Sequence, residues 1–279
     1  MQYNEIEYGK NILDNGLVSN NVKIDIIILS KYLYHIKKVK FKEHKSIVYD
    51  LCKRDIVDFN EVKHYKIIDE CIKKGRDKKS YPIQINSIPI YYEYLKLIDS
   101  IDVANDYKKV LLSLIFDRIL NKEKNLQKLY LFKDSEEYKN IQNNMNLCYY
   151  SNKKTNKIIF NSSRIGSTYK IQKVLKDLND NNIIKDIGRS RVICNFLKNM
   201  DIPNFVYYNI QRKDFDKVGW VWDLYKGNKK VKVCEKCNCL LKPKSNRTKY
   251  CDKCAREIKN EQIAEIMRNK RSKLKNVIK

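Results

Sequence analysis

The order of apolar and polar positions divides the chain into stretches of different period. Ile24, Ile27, Ile28, Tyr32 and Ile36 recur at helical spacing. A second run passes through Ile47, Val48, Leu51 and Cys52, and a third through Val62, Tyr65, Ile68, Asp69 and Ile72. Gly75, the basic stretch 76–79 and Pro82 close the third run. Residues 1–80 therefore predict a small helical bundle. Two of the four prolines fall between Ser80 and Pro89, a segment that reads as a linker. Beyond it, Ile90–Ile101 predicts one helix. Ala104–Asn121 predicts another, with Val110, Leu111, Leu114, Ile115 and Ile119 forming its apolar stripe.

The pattern then changes. Ser135–Leu147 predicts a helix in which Asp134 and Glu137 have the spacing of a capping pair. A further helix opens at Ser167, with Ile171, Val174, Leu175 and Leu178 on one face. Residues 183–187 read as a strand, Gly188 to Arg191 as a basic turn and 192–196 as a returning strand. Helix, strand, basic turn, strand is the order of a winged helix. Such a module sets the exposed side of its last helix in the major groove and its wing on the backbone. Tyr169, Lys170, Lys173 and Lys176 fall away from the apolar face, and Arg189 and Arg191 fall in the wing. Those six are candidate contacts to phosphates and guanine edges. The competing reading is a core helix packed on a hairpin, or a module that contacts protein.

Residues 203–226 gather Phe205, Tyr207, Tyr208, Phe215, Trp220, Trp222 and Tyr225. Side chains of this size favour a packed seam over a platform for bases.

The chemistry-bearing pattern lies nearer the C-terminus. Cys234 and Cys237 form one CxxC pair, Cys251 and Cys254 another, with thirteen residues between them. Each CxxC presents two sulfurs from one tight turn, and four thiolates make the closed tetrahedral shell of one structural Zn²⁺. Asn238 follows the first pair, where the knuckle needs a residue tolerant of left-handed backbone. Cys239 stands as a spare thiol. The chain holds nine cysteines, an odd number. In a reducing compartment the two pairs argue for metal rather than disulfides.

Composition adds a partner class. Lys and Arg number 58 against 33 Asp and Glu, a net charge of +25. From Lys226 to Lys279 there are 18 cations and five acids, so this fifth of the chain carries about half the excess. Self-repulsion of this size favours a polyanionic partner, and nucleic acid is the first expectation. Lys242, Lys244, Arg247 and Lys249 lie between the two knuckles. Arg268, Lys270 and Arg271 lie on the predicted basic helix beyond them. These seven are further candidate phosphate contacts.

At 43% hydrophobic and 11% aromatic the chain can bury a core. Seven glycines and four prolines weigh against tight-turned all-β folds. No apolar run reaches the ~18 residues of a membrane span, and the opening residues do not read as a secretion signal. A cytoplasmic protein is expected, without a membrane partner. His35, His44 and His64 fit no catalytic or metal motif, and no phosphate-binding glycine loop or compact acidic set is present. No enzyme is expected; a cryptic nuclease is the least favoured reading. The expected fold is mainly α with short β: a helical domain over 1–80, a linker and connecting helix over 81–103, a winged-helix-like domain over 104–226, and a zinc ribbon with a basic helical tail over 227–279.

The C-terminal pattern resembles a zinc-ribbon tail. It reads Cys-x-x-Cys-x-x-x-Leu-x-Pro-x-Ser-Asn-Arg-x-Lys-Tyr-Cys-x-x-Cys and runs into a Lys/Arg/Glu-rich helix. Such tails occur in uncharacterised phage, prophage and plasmid proteins of clostridia and related Gram-positive bacteria. The segments 3–9, 29–32 and 58–62 are similar to the same proteins. That resemblance implies the four cysteines as metal ligands, with Cys239 departing from the pattern, and implies a bacterial host cytoplasm. The resulting expectation is a non-enzymatic protein of a phage or mobile element. It would bind nucleic acid, double-stranded DNA foremost, in replication or transcription. The alternative expectation is an inhibitor of a host defence ribonucleoprotein, of anti-CRISPR type, binding a host protein or its nucleic-acid channel.

Overall fold

The computed structural model describes residues 3–143, 148–150, 159, 161–165, 168–186, 191–197 and 203–277. It is mainly helical, with short strand pairs. The chain divides into two compact units, one of residues 1–88 and 117–147, the other of 89–116 and 148–279.

The first unit opens with four helices: α1 (Glu5–Asn15), α2 (Val22–Lys31), α3 (Phe41–Asp55) and α4 (Glu61–Gly75). Asparagines start three of them. The side chains of Asn4, Asn21 and Asn60 accept from the backbone N–H of Glu7, Ile24 and Lys63, each meeting one orphan donor of a first turn. Helix α2 is the central rod. Its run Ile26 to Leu29 supplies the core that Ile12, Leu33, Val48, Leu51, Ile68 and Ile72 complete. Its neighbours approach it through glycines. A Cβ on Gly9 would stand 2.6 Å from Tyr32 Cβ, and one on Gly75 would stand 2.3 Å from Ser30 Cβ.

Several buried polar groups of this bundle are answered, whereas Ser30 Oγ and His44 Nε2 are buried without a hydrogen-bond partner among the described residues. The Asp25 carboxylate, fully buried, accepts from Tyr8 Oη at 2.9 Å, from the N–H of Val18 and Ser19 at 2.9 and 2.8 Å, and from Ser19 Oγ at 2.8 Å. Lys31 pairs with Glu5 at 2.9 Å, and Glu5 also accepts from the Ile83 N–H. Arg76, just past α4, donates to His44 Nδ1 at 2.8 Å and lies 4.5 Å from the Tyr34 ring. The three histidines sit within this unit: His35 faces the Asp77 carbonyl, His44 is fully buried, and His64 stacks on Phe59.

Two local readings differ from the pattern analysis. Residues 80–89, read as a linker, bury Ile83, Ile85 and Ile88. Ile83 and Ile85 flank the polar Gln84 at strand spacing, and Gln84 bridges Asn4. Helix α7 (Glu136–Asn143) is capped by Ser135, whose Oγ accepts from the Tyr138 N–H at 3.2 Å, rather than by Asp134.

Strand β1 (Ser87–Tyr91), most of it in the second unit, pairs with β5 (Val206–Gln211). The predicted helix over 90–101 thus begins later, as α5 (Tyr92–Ser100), because Ile88 and Ile90 alternate as buried strand residues. The long helix α6 (Asn105–Lys128) contributes its first half, where Val110, Leu111, Leu114 and Ile115 are buried. Helix α8 (Thr168–Asp180) leads into β3 (Ile184–Asp186) and β4 (Arg191–Cys194), an antiparallel pair. A third strand, β2 (Cys148–Tyr150), flanks β4.

The aromatic seam packs around Tyr92, with Tyr207, Phe205 and Tyr225 all within 6.3 Å. Trp222 of α9 (Val218–Tyr225) is 1% exposed and donates to Asn105 Oδ1 at 3.3 Å. The chain then forms a small hairpin of β6 (Lys232–Val233) and β7 (Leu240–Leu241) and ends in α10 (Asp252–Val277). Among the described residues no helix is long and apolar enough to cross a membrane.

Candidate metal centre and basic surface

Two tight turns build the metal centre. In the first, β6 runs into Cys234, and the Asn238 N–H donates to the Cys234 carbonyl at 2.9 Å. Asn238 has φ +52°, the left-handed conformation that closes this knuckle. The Cys234 N–H donates to the Cys239 carbonyl at 2.8 Å, which returns the chain into β7. In the second turn Cys251 precedes α10 and Cys254 lies in its first turn. The Cys251 N–H donates to Cys234 Sγ at 3.3 Å and so joins the two knuckles.

The ligand atoms of Cys234, Cys237, Cys251 and Cys254 all lie within 4.8 Å of one another, with Cys237 Sγ and Cys251 Sγ 3.8 Å apart. Four such sulfurs could hold one metal ion. Four thiols this close cannot all ionise without a cation among them. Burial pushes the Cys237 thiol up, but the Lys213 ammonium and neighbouring hydrogen bonds outweigh it and bring the thiol down to about 6. Burial and its thiol neighbours push Cys254 up to about 12. Cys239 Sγ lies 3.3 Å from Cys237 Sγ, and burial pushes this fifth thiol upward too. Cys239 is 5% exposed and packs in the same cluster.

Residues 208–217 fasten the first knuckle in place. Tyr208 Oη donates to the Asn238 carbonyl at 2.5 Å, and Lys213 Nζ donates to Cys237 Sγ at 3.0 Å. The Asp214 carboxylate, fully buried, accepts from the Leu240 N–H at 2.8 Å and from Lys217 Nζ at 2.6 Å. The second turn is held from the first: Lys236 pairs with Glu257 and Glu261 of α10 at 3.4 and 3.1 Å. Apart from the local Lys217–Asp214 pair, none of these tethers was legible in the sequence, because each joins residues 20 or more positions apart, Lys213 and Cys237 by 24. The only local sign was a cluster of charges beside the aromatic seam.

The predicted cations fall into separate groups. Lys170, Lys173 and Lys176 are exposed on α8, whose Val174 and Leu178 are buried. Lys170 comes within 3.9 Å of Asp106. Lys242, Lys244, Arg247 and Lys249 are exposed around the metal centre. Lys244 pairs with Asp252 at 2.8 Å and Lys249 with Glu235 at 3.7 Å. Arg268 and Lys270 are exposed on α10. The side chains of Tyr169, Arg191 and Arg271, and the whole of Arg189 with its turn, lie outside the described residues.

No family model matches the chain, and neither a curated protein nor a solved structure matches it.

Proposed function

We propose that the chain is a nucleic-acid-binding protein without catalytic activity, with double-stranded DNA as its principal polymer, acting in the replication or transcription of a phage or mobile element in the host cytoplasm. The four cysteines would hold one structural Zn²⁺. A tetrahedral shell with Zn–S bonds of ~2.3 Å has sulfurs about 3.8 Å apart, and Cys237 and Cys251 stand at that spacing. Cys251→Ser should lose the metal, and retention of one equivalent of zinc would contradict the ligand assignment.

The observation that carries the reading is the exposed positive charge around that cluster, part of which has no acidic partner. Lys242 and Arg247 stand beside it with no carboxylate partner among the described residues. The lysine face of α8 is a second cationic surface, and the order α8, β3, β4 with β2 alongside supports a winged-helix reading of that region.

Anisotropy of a labelled duplex of about 20 base pairs tests the proposal. A protein making six or more phosphate contacts loses about a thousandfold in affinity between ~50 and ~200 mM salt. No binding even at ~50 mM salt would overturn it.

A further inference from the structure

Beside the metal centre lies a cleft of about 340 Å³, within the ~300–1,000 Å³ of small-ligand sites. Cys251 of the candidate metal shell forms part of its wall. Its wall holds one indole, that of Trp220, and the ammonium groups of Lys213, Lys217, Lys242, Lys244 and Lys253. The two tryptophans of α9 are used differently. Trp222 is sealed in the core at 1% exposure, whereas Trp220 is only half-buried and faces the cleft.

Cations surround the Trp220 ring. Lys242 Nζ lies 5.3 Å from its centroid, Lys217 Nζ 5.5 Å and the Arg164 guanidinium 5.3 Å. Most of these charges are already answered: Arg164 by Asp216, Lys217 by Asp214, Lys244 by Asp252. Lys213 faces the Cys237 sulfur. Lys242 is exposed and has no carboxylate partner among the described residues. Five ammonium groups against Asp214 and Asp252 leave the cleft positive, with its unspent charge next to the ring.

An aromatic face beside an unpaired ammonium group suits a flat π-system joined to a phosphate. We propose that this cleft binds an unpaired nucleotide of a nucleic-acid strand, its base stacked on Trp220 and its phosphate paired with Lys242. The inference rests on the nucleic-acid reading above and deepens it by assigning a strand state to this site. A base within a duplex has both faces covered by its neighbours and cannot offer one to an indole; an unpaired base can. An acidic peptide would answer Lys242 but leave the ring without a role.

The test uses the full metal-loaded chain, a labelled oligo(dT) of about 12 nucleotides and a blunt duplex of the same length. Oligo(dT) should quench the intrinsic fluorescence, and Trp222 is too shielded to account for the change. Trp220→Ala should weaken oligo(dT) binding by between about 5- and 150-fold while duplex affinity and bound zinc stay the same. Should Trp220→Ala lose its zinc, Lys242→Glu decides the matter. It changes an exposed residue and should also weaken oligo(dT) binding by about fivefold or more. Tight oligo(dT) binding unaffected by the deciding variant would overturn the cleft assignment and leave the nucleic-acid reading standing. Failure of both probes to bind would remove both.

Discussion

Lys213 Nζ donates to Cys237 Sγ at 3.0 Å, across 24 residues of sequence. The contact places a positive charge against one thiolate of a candidate metal shell that would otherwise carry excess negative charge. It also docks the first knuckle onto the turn after β5.

Replacing this lysine should therefore weaken the metal site without removing a ligand. Groups that orient or neutralise metal ligands contribute about 10- to 100-fold in affinity. Lys213→Met is expected to lower zinc affinity by about tenfold in competition with a chromophoric chelator. The deficit should widen as pH falls from ~8 to ~6, because the Cys237 thiol then rises from about 6 towards the ordinary ~8.5 and protons compete with the metal. Equal affinities at both ends of that range would show that the contact has no electrostatic role.

Asp214 carries the neighbouring tether. Asp214→Ala would leave the buried Leu240 N–H without its acceptor and the Lys217 ammonium with the Leu240 carbonyl alone. An orphaned buried donor costs about 1–3 kcal/mol, so thermal unfolding should show a loss near the top of that range. Hydrogen exchange should place the loss in residues 232–241. A loss spread evenly over the chain would mean that the knuckle is not separately fastened.

In the helical bundle, Gly75→Ala sets two effects against each other. Alanine favours a helix interior by about 1 kcal/mol over glycine, and less at Gly75, the last residue of α4. Here the new Cβ would meet Ser30 Cβ at 2.3 Å and the Ile27 carbonyl oxygen at 2.8 Å, so α4 must move away from α2. Overpacking of this kind costs ~1–3 kcal/mol, and the backbone oxygen cannot yield by a rotamer change. Net destabilisation is expected in denaturant titration; a more stable variant would mean that the two helices do not meet this closely.

His44 should make the first unit sensitive to acid. Burial, then the Arg76 charge, lowers its pKa to about 4, against ~6.5 in an unfolded chain. Between those values the unfolded state binds the extra proton. Stability is therefore whole above ~6.5, falls with pH through the window and reaches its full loss below about 4, on the order of 3 kcal/mol. His44→Leu should flatten this dependence in melting curves taken across the range. An unchanged slope would assign the acid sensitivity to other groups.

What the pattern of residues carried was local. The helical spacing of Ile68 and Ile72, both buried in α4, depends only on nearby chain. The two CxxC turns and the left-handed Asn238 are local in the same sense. The strand-like spacing within the pairs Ile83, Ile85 and Ile88, Ile90 is equally local, but the two prolines beside them favour a linker and a helix on pattern alone. The placement of Tyr208, Lys213 and Asp214 against the knuckle was beyond reach, since nothing nearby in sequence distinguishes a tether from a solvated charge. Trp220 and Trp222 looked alike for the same reason. Two positions on one short helix, roughly 200° of rotation, separate them, and only the packing around α9 decides that one is core and the other lines a cleft.

The measurement that bears most directly on the whole account is nucleic-acid affinity with and without the metal. Labelled DNA would be titrated at ~50 mM salt with the zinc-loaded chain and with Cys251→Ser, and zinc and helix content would be determined on the same samples. The account predicts one zinc per chain, absent from the variant, near-native helix in the first unit, and at least about tenfold weaker binding when the metal is gone. Equal affinity with and without zinc would contradict it.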